Sequence, residues 1–137
     1  MNALTTEWVE KAESDYRAAQ GLLPAIEPSG FVEAVCFHSQ QCVEKYAKAF
    51  LQEHDIPSER ADSRMEPLYS TCVSIEPDFG EYRGDFERLD DFGIEILYPG
   101  YSATTNDARE AMDIVTRFRT FIRSKLSLDQ PSTSKGA

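Results

Sequence analysis

The spacing of apolar residues predicts a helix at the start of the chain. Five apolar residues recur there every three or four positions: Trp8, Ala12, Tyr16, Ala19 and Leu22. This is the period of one helix face. Pro24 follows, and proline does not continue a helix interior. We therefore predict a first helix over about 6–23, with Thr5 or Thr6 as its N-cap.

The next stretch predicts a longer helix, over about 30–54, with Ser29 as its cap. Its large apolar residues surround most of the helical cylinder: Phe31, Val32, Val35, Phe37, Val43, Tyr46, Phe50 and Leu51. Such a helix is usually central or shared between packing partners. Because surplus apolar surface is normally buried by a partner, we predict a homodimer with twofold symmetry.

Three further helices follow from the pattern. The first begins at Met65, the second covers about 79–92, and the last begins near Thr105 or Asn106. Residues 94–98 are interpreted as the end of the fourth helix or as an extended approach to the next turn, because a single strand has nothing to pair with. One-sided apolar stripes joined by short loops are typical of bundles.

The predicted fold class is therefore all-α, an antiparallel bundle of about five helices. We predict that the bundle occupies residues 1–126. Residues 127–137 are rich in polar residues and are predicted to form a disordered tail.

The formal net charge of −10 disfavours nucleic acid and anionic membranes as partners, unless a basic patch is segregated. Residues 76–95 hold eight acids and two arginines, whereas 117–125 hold four basic residues and no acid. We interpret both stretches as solvated faces. Arg119 and Arg123 are a less favoured phosphate site, and the acidic stretch is the better candidate for contact with a protein, including a basic one.

The cysteine and histidine patterns argue against metal or disulfide chemistry. The three cysteines form no CxxC pair, and the two histidines lie sixteen residues apart. We therefore predict free thiols in a reducing, cytoplasmic environment, with no metal and no cofactor. Acidic residues from Glu7 onward rule out a signal peptide, and no apolar run is long enough to suggest a membrane span.

The long helix carries the candidate site. His38, Gln41 and Lys45 are spaced three and four residues apart, so they form one row. His38 is either a core histidine bonded to Asp15, Tyr16 or Gln41, which we favour, or a pocket residue that contacts a nucleotide.

Lys45 could hold a phosphate as a point charge, or it could pair with an acid of the first helix, Asp15 or Glu13. We predict the pair and choose Asp15, which borders the packed face. The candidate ligand-binding residues are thus Asp15, His38, Gln41 and Lys45, and no catalytic residue is assigned. Glu44 and Lys48 are predicted to form an ordinary ion pair on the helix surface.

Three segments resemble the HEPN family of small all-α domains. The segment Phe37-His38-Ser39-Gln40-Gln41, followed by Glu44-Lys45, is similar to the family's second-helix signature. The stretch 8–16 resembles its opening helix, and Tyr98-Pro99-Gly100 resembles the turn before its final helix. The resemblance covers most of the chain and implies a helical bundle that is commonly a dimer.

The resemblance also implies two activities. Some members are metal-independent ribonucleases, often toxins, that carry an arginine four to six residues before a histidine. Others pair with a small nucleotidyltransferase. No arginine stands at that spacing before His38 or His54, and Leu97 takes the place of the basic residue expected before Tyr98.

We therefore expect a module that binds a partner, a nucleotide or RNA. Its expected partner is a nucleotidyltransferase, as in toxin–antitoxin systems. A degenerate ribonuclease and a purely structural dimerisation domain are the alternatives.

Overall fold

The computed structural model describes residues 1–57, 64–95, 99–100 and 102–129. It contains five long helices: α1 (Ala3–Leu22), α2 (Val32–Glu53), α3 (Met65–Ile75), α4 (Arg83–Glu95) and α5 (Thr105–Lys125). A 3₁₀ turn (Leu23–Ala25) and one helical turn (Ile26–Ser29) join α1 to α2, and a 3₁₀ segment (Pro77–Tyr82) precedes α4. The predicted all-α bundle is confirmed.

Helix α2 is the centre of the bundle, as its apolar surface predicts. It packs most extensively against α1 and α5, and also against α3 and α4. The start of α1 lies beside the end of α2, because Asn2 Nδ2 donates a hydrogen bond to the Gln52 carbonyl at 3.2 Å. The largest fully buried side chains come from several elements: Tyr46, Met65, Phe79, Phe86, Phe92 and Phe118.

The first helix begins earlier than predicted, and the predicted caps are wrong. Asn2 is the N-cap of α1, and its side chain accepts hydrogen bonds from the Thr5 backbone at 2.8 Å and from Thr5 Oγ1 at 2.9 Å. Thr5 lies inside the helix and is fully buried. Asn2 also contacts the end of α2, which is a tertiary contact that the apolar spacing of α1 does not reveal.

Two other helix starts also differ from the prediction. Helix α2 begins at Val32 with Phe31 as an N-cap that provides no side-chain bond, so Ser29 is not its cap. The chain turns into α2 through Gly30, whose φ of 82° favours glycine. The fourth segment starts as a 3₁₀ helix and continues as α4 to Glu95. Residues 96–98, which belong to the ambiguous stretch, lie outside the described residues.

The last helix agrees with the prediction. Helix α5 begins at Thr105, and Thr104 and Asp107 form a capping box before it. After α5, Arg123 Nε donates to Asp129 Oδ2 at 2.7 Å. Residues 130–137 lie outside the described residues, so the predicted tail stays a prediction. No helix in the described ranges is long and apolar enough to span a membrane.

Candidate functional site

Asp15 of α1 binds two side chains of α2. Its Oδ1 lies 2.8 Å from His38 Nδ1, and its Oδ2 accepts a hydrogen bond from Lys45 Nζ at 2.6 Å. This confirms the predicted pairing of Lys45 with Asp15 and the predicted bond from His38 to Asp15, but the His38 side chain is 30% exposed and is not in the core. The Asp15 residue is 8% exposed, so its charge depends on these partners.

The local sequence explains why the three groups meet. Ala12 and Ala19 lie about one turn before and after Asp15 and are fully buried, so α2 can approach α1 closely at this point. His38 and Lys45 are seven residues apart, which is close to two helical turns. Both side chains therefore lie on the same side of α2, and each contacts a different oxygen of the Asp15 carboxylate.

Gln41, the other member of the predicted row, belongs to a different network. Its Nε2 donates to Gln40 Oε1 at 2.8 Å, and Gln40 Nε2 donates to Glu44 Oε1 at 3.2 Å. Glu44 Oε2 then accepts a hydrogen bond from Lys48 Nζ at 2.9 Å. The predicted row thus divides between two hydrogen-bonded groups. His38 and Lys45 bind Asp15, and we refer to these three residues as the Asp15 group. Gln41 instead continues the hydrogen-bonded series of Gln40, Glu44 and Lys48 along α2.

The Glu44–Lys48 pair was predicted correctly as a pair but wrongly as a surface feature. The two side chains are only 7% and 6% exposed. Lys48 Nζ also lies 5.3 Å from the centroid of the Trp8 ring, so α1 contributes to its surroundings. The prediction failed because α2 is covered by neighbours on more sides than an ordinary amphipathic helix.

A second carboxylate of α1, Glu13, holds side chains from two other helices. Arg119 Nε and Nη2 of α5 donate to its two oxygens at 2.7 and 2.8 Å. The Tyr46 hydroxyl of α2 also donates to Glu13, and Arg123 Nη1 donates to the Tyr46 oxygen at 3.0 Å. The Arg119 guanidinium lies 4.6 Å from the centroid of the Tyr16 ring, which adds a cation–π contact.

The electrostatics of Glu13 follow from this geometry. Burial alone would raise the pKa of its carboxyl, but the hydrogen bonds from Arg119 and Tyr46 outweigh that effect and lower it. From the sequence, Glu13 was only the second choice of partner for Lys45. Its position one turn before the half-buried Tyr16 was the signal that it faces the core.

The basic stretch at the end of α5 is therefore not a solvated face. Arg119, Arg123 and Lys125 all form ion pairs, the last with Glu76 and Asp78 at 3.2 and 2.7 Å. Arg117 remains 57% exposed and pairs with Asp85 at 3.0 Å. The two stretches of opposite charge contact each other, because the fold brings the end of α5 beside the start of the acidic segment.

Large apolar side chains remain exposed on α1 and α2. Phe37 is 43% exposed, Phe31 45% and Leu4 55%. The Phe37 ring lies beside His38, with 5.4 Å between ring centroids. Leu4 and Trp8 line a small cavity of about 140 Å³ together with Glu7 and Lys11.

The thiols and potential metal ligands offer no reactive centre. Cys36, Cys42 and Cys72 are free and buried, and burial raises the pKa of Cys36 and Cys72 to about 12. The thiolate, which is the nucleophilic form, is therefore scarce at neutral pH. No group of three or more His, Cys, Asp and Glu side chains with metal-binding geometry occurs in the part of the chain that the structure describes.

Comparison with known proteins gives a family. The sequence model of the HEPN domain family matches residues 5–125 of this chain. The fold is similar to the crystal structure of an archaeal HEPN homologue, with a TM-score of 0.69 and 22% sequence identity over 88% of this chain and 96% of that one. Curated proteins gave no match. Because the family match spans most of the chain, this protein belongs to the HEPN domain family.

Proposed function

We propose that the chain is a non-catalytic binding module that recognises a protein partner through an outer α1–α2 face. We define this face by Trp8 and Asp15 of α1 and by Phe37, His38 and Lys45 of α2. The observation that carries the proposal is the exposed Phe37 ring beside a closed ionic group, in which Asp15 binds both His38 and Lys45. An aromatic anchor next to internally paired charges suits the core of a protein interface.

The charges of the face favour a protein over a phosphate-bearing ligand. His38 and Lys45 are 30% and 24% exposed, and both already bind Asp15. A phosphate would have to compete with this buried carboxylate for each of the two side chains. An apolar partner surface covers Phe37 without breaking either bond.

A second copy of the chain is one such partner. Phe37 on the central helix and Phe31 at its N-cap are both exposed, and a twofold contact would bury the same surface on both copies. The other expected partner is a protein of the nucleotidyltransferase type, as in a toxin–antitoxin pair. Membership of the HEPN family and the resemblance of the α2 signature support this part of the proposal.

Binding of a nucleotide is the second candidate. Within the described residues, His38 Nε2 and Gln41 Oε1 make no hydrogen bond, so both could contact a base. The net charge of −10 disfavours a long RNA. A single nucleotide at the rim of the α1–α2 face is the form of this hypothesis that the geometry allows.

Sedimentation equilibrium of the purified chain and of the Phe37→Glu variant tests the proposal. We expect the wild type to be a dimer at micromolar concentration and Phe37→Glu to be a monomer with unchanged helicity. Asn106→Glu is the control, because it adds the same charge at an exposed site at the start of α5. A wild-type monomer that also co-purifies with no nucleotidyltransferase-type protein from its native host would refute the proposal.

A further inference from the structure

A second surface lies between α3 and α4, away from the residues that define the α1–α2 face. It is a groove of about 610 Å³, which is within the usual range for a binding pocket. Its lining includes the aromatic residues Tyr69 and Phe86 and the acids Glu66, Glu87 and Asp91. We refer to this surface as the acidic groove.

Two of its acids contribute little to holding the fold together. Glu87 and Asp91 are both exposed, and their spacing of four residues on α4 places like charges side by side, which destabilises a helix. Among the described residues, Glu87 has only a distant partner, Arg83, at 3.9 Å, with both side chains more than 60% exposed. Asp91 forms no hydrogen bond or ion pair within the described ranges.

A neighbouring acid shows the contrast. Asp90 lines the same groove, but its Oδ1 accepts the backbone N–H of Met65 at 3.5 Å. It therefore sits at the N-terminus of α3, where the helix dipole favours an anion. Asp90 has a structural role, whereas Glu87 and Asp91 have none that the fold requires.

The aromatic residues make the groove more than a cluster of acids. The Tyr69 and Phe86 rings pack with their centroids 5.4 Å apart, and Tyr69 is half-buried with a hydroxyl that bonds to no described residue. Phe86 is buried and packs against Tyr69, so the half-buried Tyr69 ring is the one that can attract an ammonium or guanidinium group. The aliphatic part of a lysine or arginine side chain would pack against Val73, which also lines the groove.

We propose that the acidic groove binds a lysine- or arginine-bearing segment of a protein partner. Its lining has four carboxylates, Glu66, Glu87, Asp90 and Asp91, against the single guanidinium of Arg83, which is a net charge of −3 that complements a basic peptide. The proposal rests on the function as a binding module but uses a separate surface.

An inorganic cation fits the groove less well than a basic side chain does. No three of the described acids lie close enough together to hold a metal ion. In contrast, a groove of about 610 Å³ has room for an extended side chain. Nucleic acid is excluded because the groove has the same sign of charge as phosphate. These constraints leave a basic protein segment as the occupant.

Titration of the isotope-labelled full chain with a basic peptide, followed by NMR, tests the proposal. The probe is an acetylated and amidated peptide of alternating alanine and arginine, and its matched control has glutamine in place of arginine. We expect amide shifts confined to the groove, at residues such as Tyr69 and Val73, and a Kd that rises with salt. The glutamine peptide should cause no shift.

Two double variants with equal charge change separate a built site from general attraction to an acidic protein. Glu87→Gln with Asp91→Asn should weaken peptide binding about tenfold without lowering the Tm, since like charges are removed. Glu10→Gln with Asp113→Asn neutralises two exposed acids elsewhere and should leave the Kd within about twofold. Tyr69→Leu should weaken binding while all charges are kept.

Three results would overturn the proposal. The first is that the arginine peptide does not bind. The second is that the amide shifts spread over every acidic surface, and the third is that the two double variants weaken peptide binding equally. Binding of spermine at the same site with the same affinity would also overturn it, because the groove would then be a counterion site. The groove substitutions lie outside the α1–α2 face and should leave the sedimentation of the chain unchanged. A negative result in the peptide titration therefore does not bear on the function proposed for the α1–α2 face.

Discussion

Two acids on α1, only two residues apart, bind their partners in different ways. Glu13 joins three helices, because it binds Arg119 of α5 with both oxygens and Tyr46 of α2 with one. Asp15 joins only α1 and α2, through one bond to His38 and one to Lys45. The first group uses a planar guanidinium in bidentate geometry, and the second uses two separate donors.

The difference separates a structural group from a candidate binding group. Bidentate pairing with arginine is geometrically specific and strong, and the Glu13 group is extended by Arg123, which bonds both Tyr46 and Asp129. The Asp15 group lies beside the exposed Phe37 and leaves the second nitrogen of His38 unbonded among the described residues. We therefore expect substitutions at Glu13 to affect stability and those around Asp15 to affect binding.

The largest effect is expected for Glu13→Gln. The change leaves Arg119 without a charged partner and weakens the hydrogen bond from Tyr46, so we expect the free energy of unfolding to fall by about 2–3 kcal/mol. Urea denaturation followed by circular dichroism measures it. Glu10→Gln, at an exposed position of the same helix, should change stability by less than about 0.5 kcal/mol. Equal effects of the two variants would contradict the structural role of Glu13.

The contribution of Glu13 should also depend on pH. Its folded pKa lies below the usual 4.5 because, against the effect of burial, Arg119 and Tyr46 stabilise the carboxylate. The stabilisation is therefore fully present above about pH 4.5 and is lost as the pH falls through the lower folded value. The stability difference between the wild type and Glu13→Gln should be constant near neutrality and shrink below pH 4.5. A difference that grows on acidification would show that the sign is wrong.

A smaller loss is expected for Asp15→Asn. The amide can still accept one hydrogen bond, but His38 and Lys45 lose their shared charge partner. Because both side chains retain some exposure, water can solvate them, and we expect a loss of about 1 kcal/mol. The same denaturation experiment measures it. A loss as large as that of Glu13→Gln would remove the distinction between the two groups.

The sequence alone was sufficient for the fold and for one pair of the site. Apolar periodicity located all five helices, and the small residues around Asp15 indicated that α2 would approach there. Both inferences depend on spacing within a helix, which is local. The Asp15–Lys45 pair could be predicted because only a few acids of the first helix lie on its packed side.

The Glu13 group could not be predicted in the same way. Arg119 is 106 residues from Glu13 along the chain, and the arrangement of α5 against α1 depends on tertiary packing. The basic residues of α5 therefore looked solvated when their acidic partners were unknown. The burial of Glu44 and Lys48 was missed for a similar reason, since it depends on how many neighbours surround α2.

Lys45→Met is expected to separate stability from binding. Asp15 keeps its bond to His38, and a partly exposed ion pair contributes little net stability. We expect the free energy of unfolding to change by less than about 1 kcal/mol. Binding of a nucleotide such as AMP, measured by calorimetry, should be lost if the nucleotide is held at the α1–α2 face, whereas dimerisation through Phe37 should persist. A fully folded variant that binds all partners as the wild type does would show that Lys45 is only structural.

The prediction with the smallest expected effect is that the protein does not cleave RNA. Catalytic relatives carry an arginine four to six residues before the histidine, and this chain has none at that spacing. The structure adds a second reason, because the α5 arginines that approach the core, Arg119 and Arg123, are held by Glu13, Tyr46 and Asp129 rather than by the His38 group. Within the described residues, His38 bonds Asp15 but no arginine bonds either of them, so none is seen in position to bind a scissile phosphate. The measurement is cleavage of a fluorescent single-stranded RNA in the presence of EDTA, with His38→Ala as the control. Metal-independent cleavage that His38→Ala abolishes would assign an enzymatic role to the Asp15 group and would reverse the contrast between the two acids of α1.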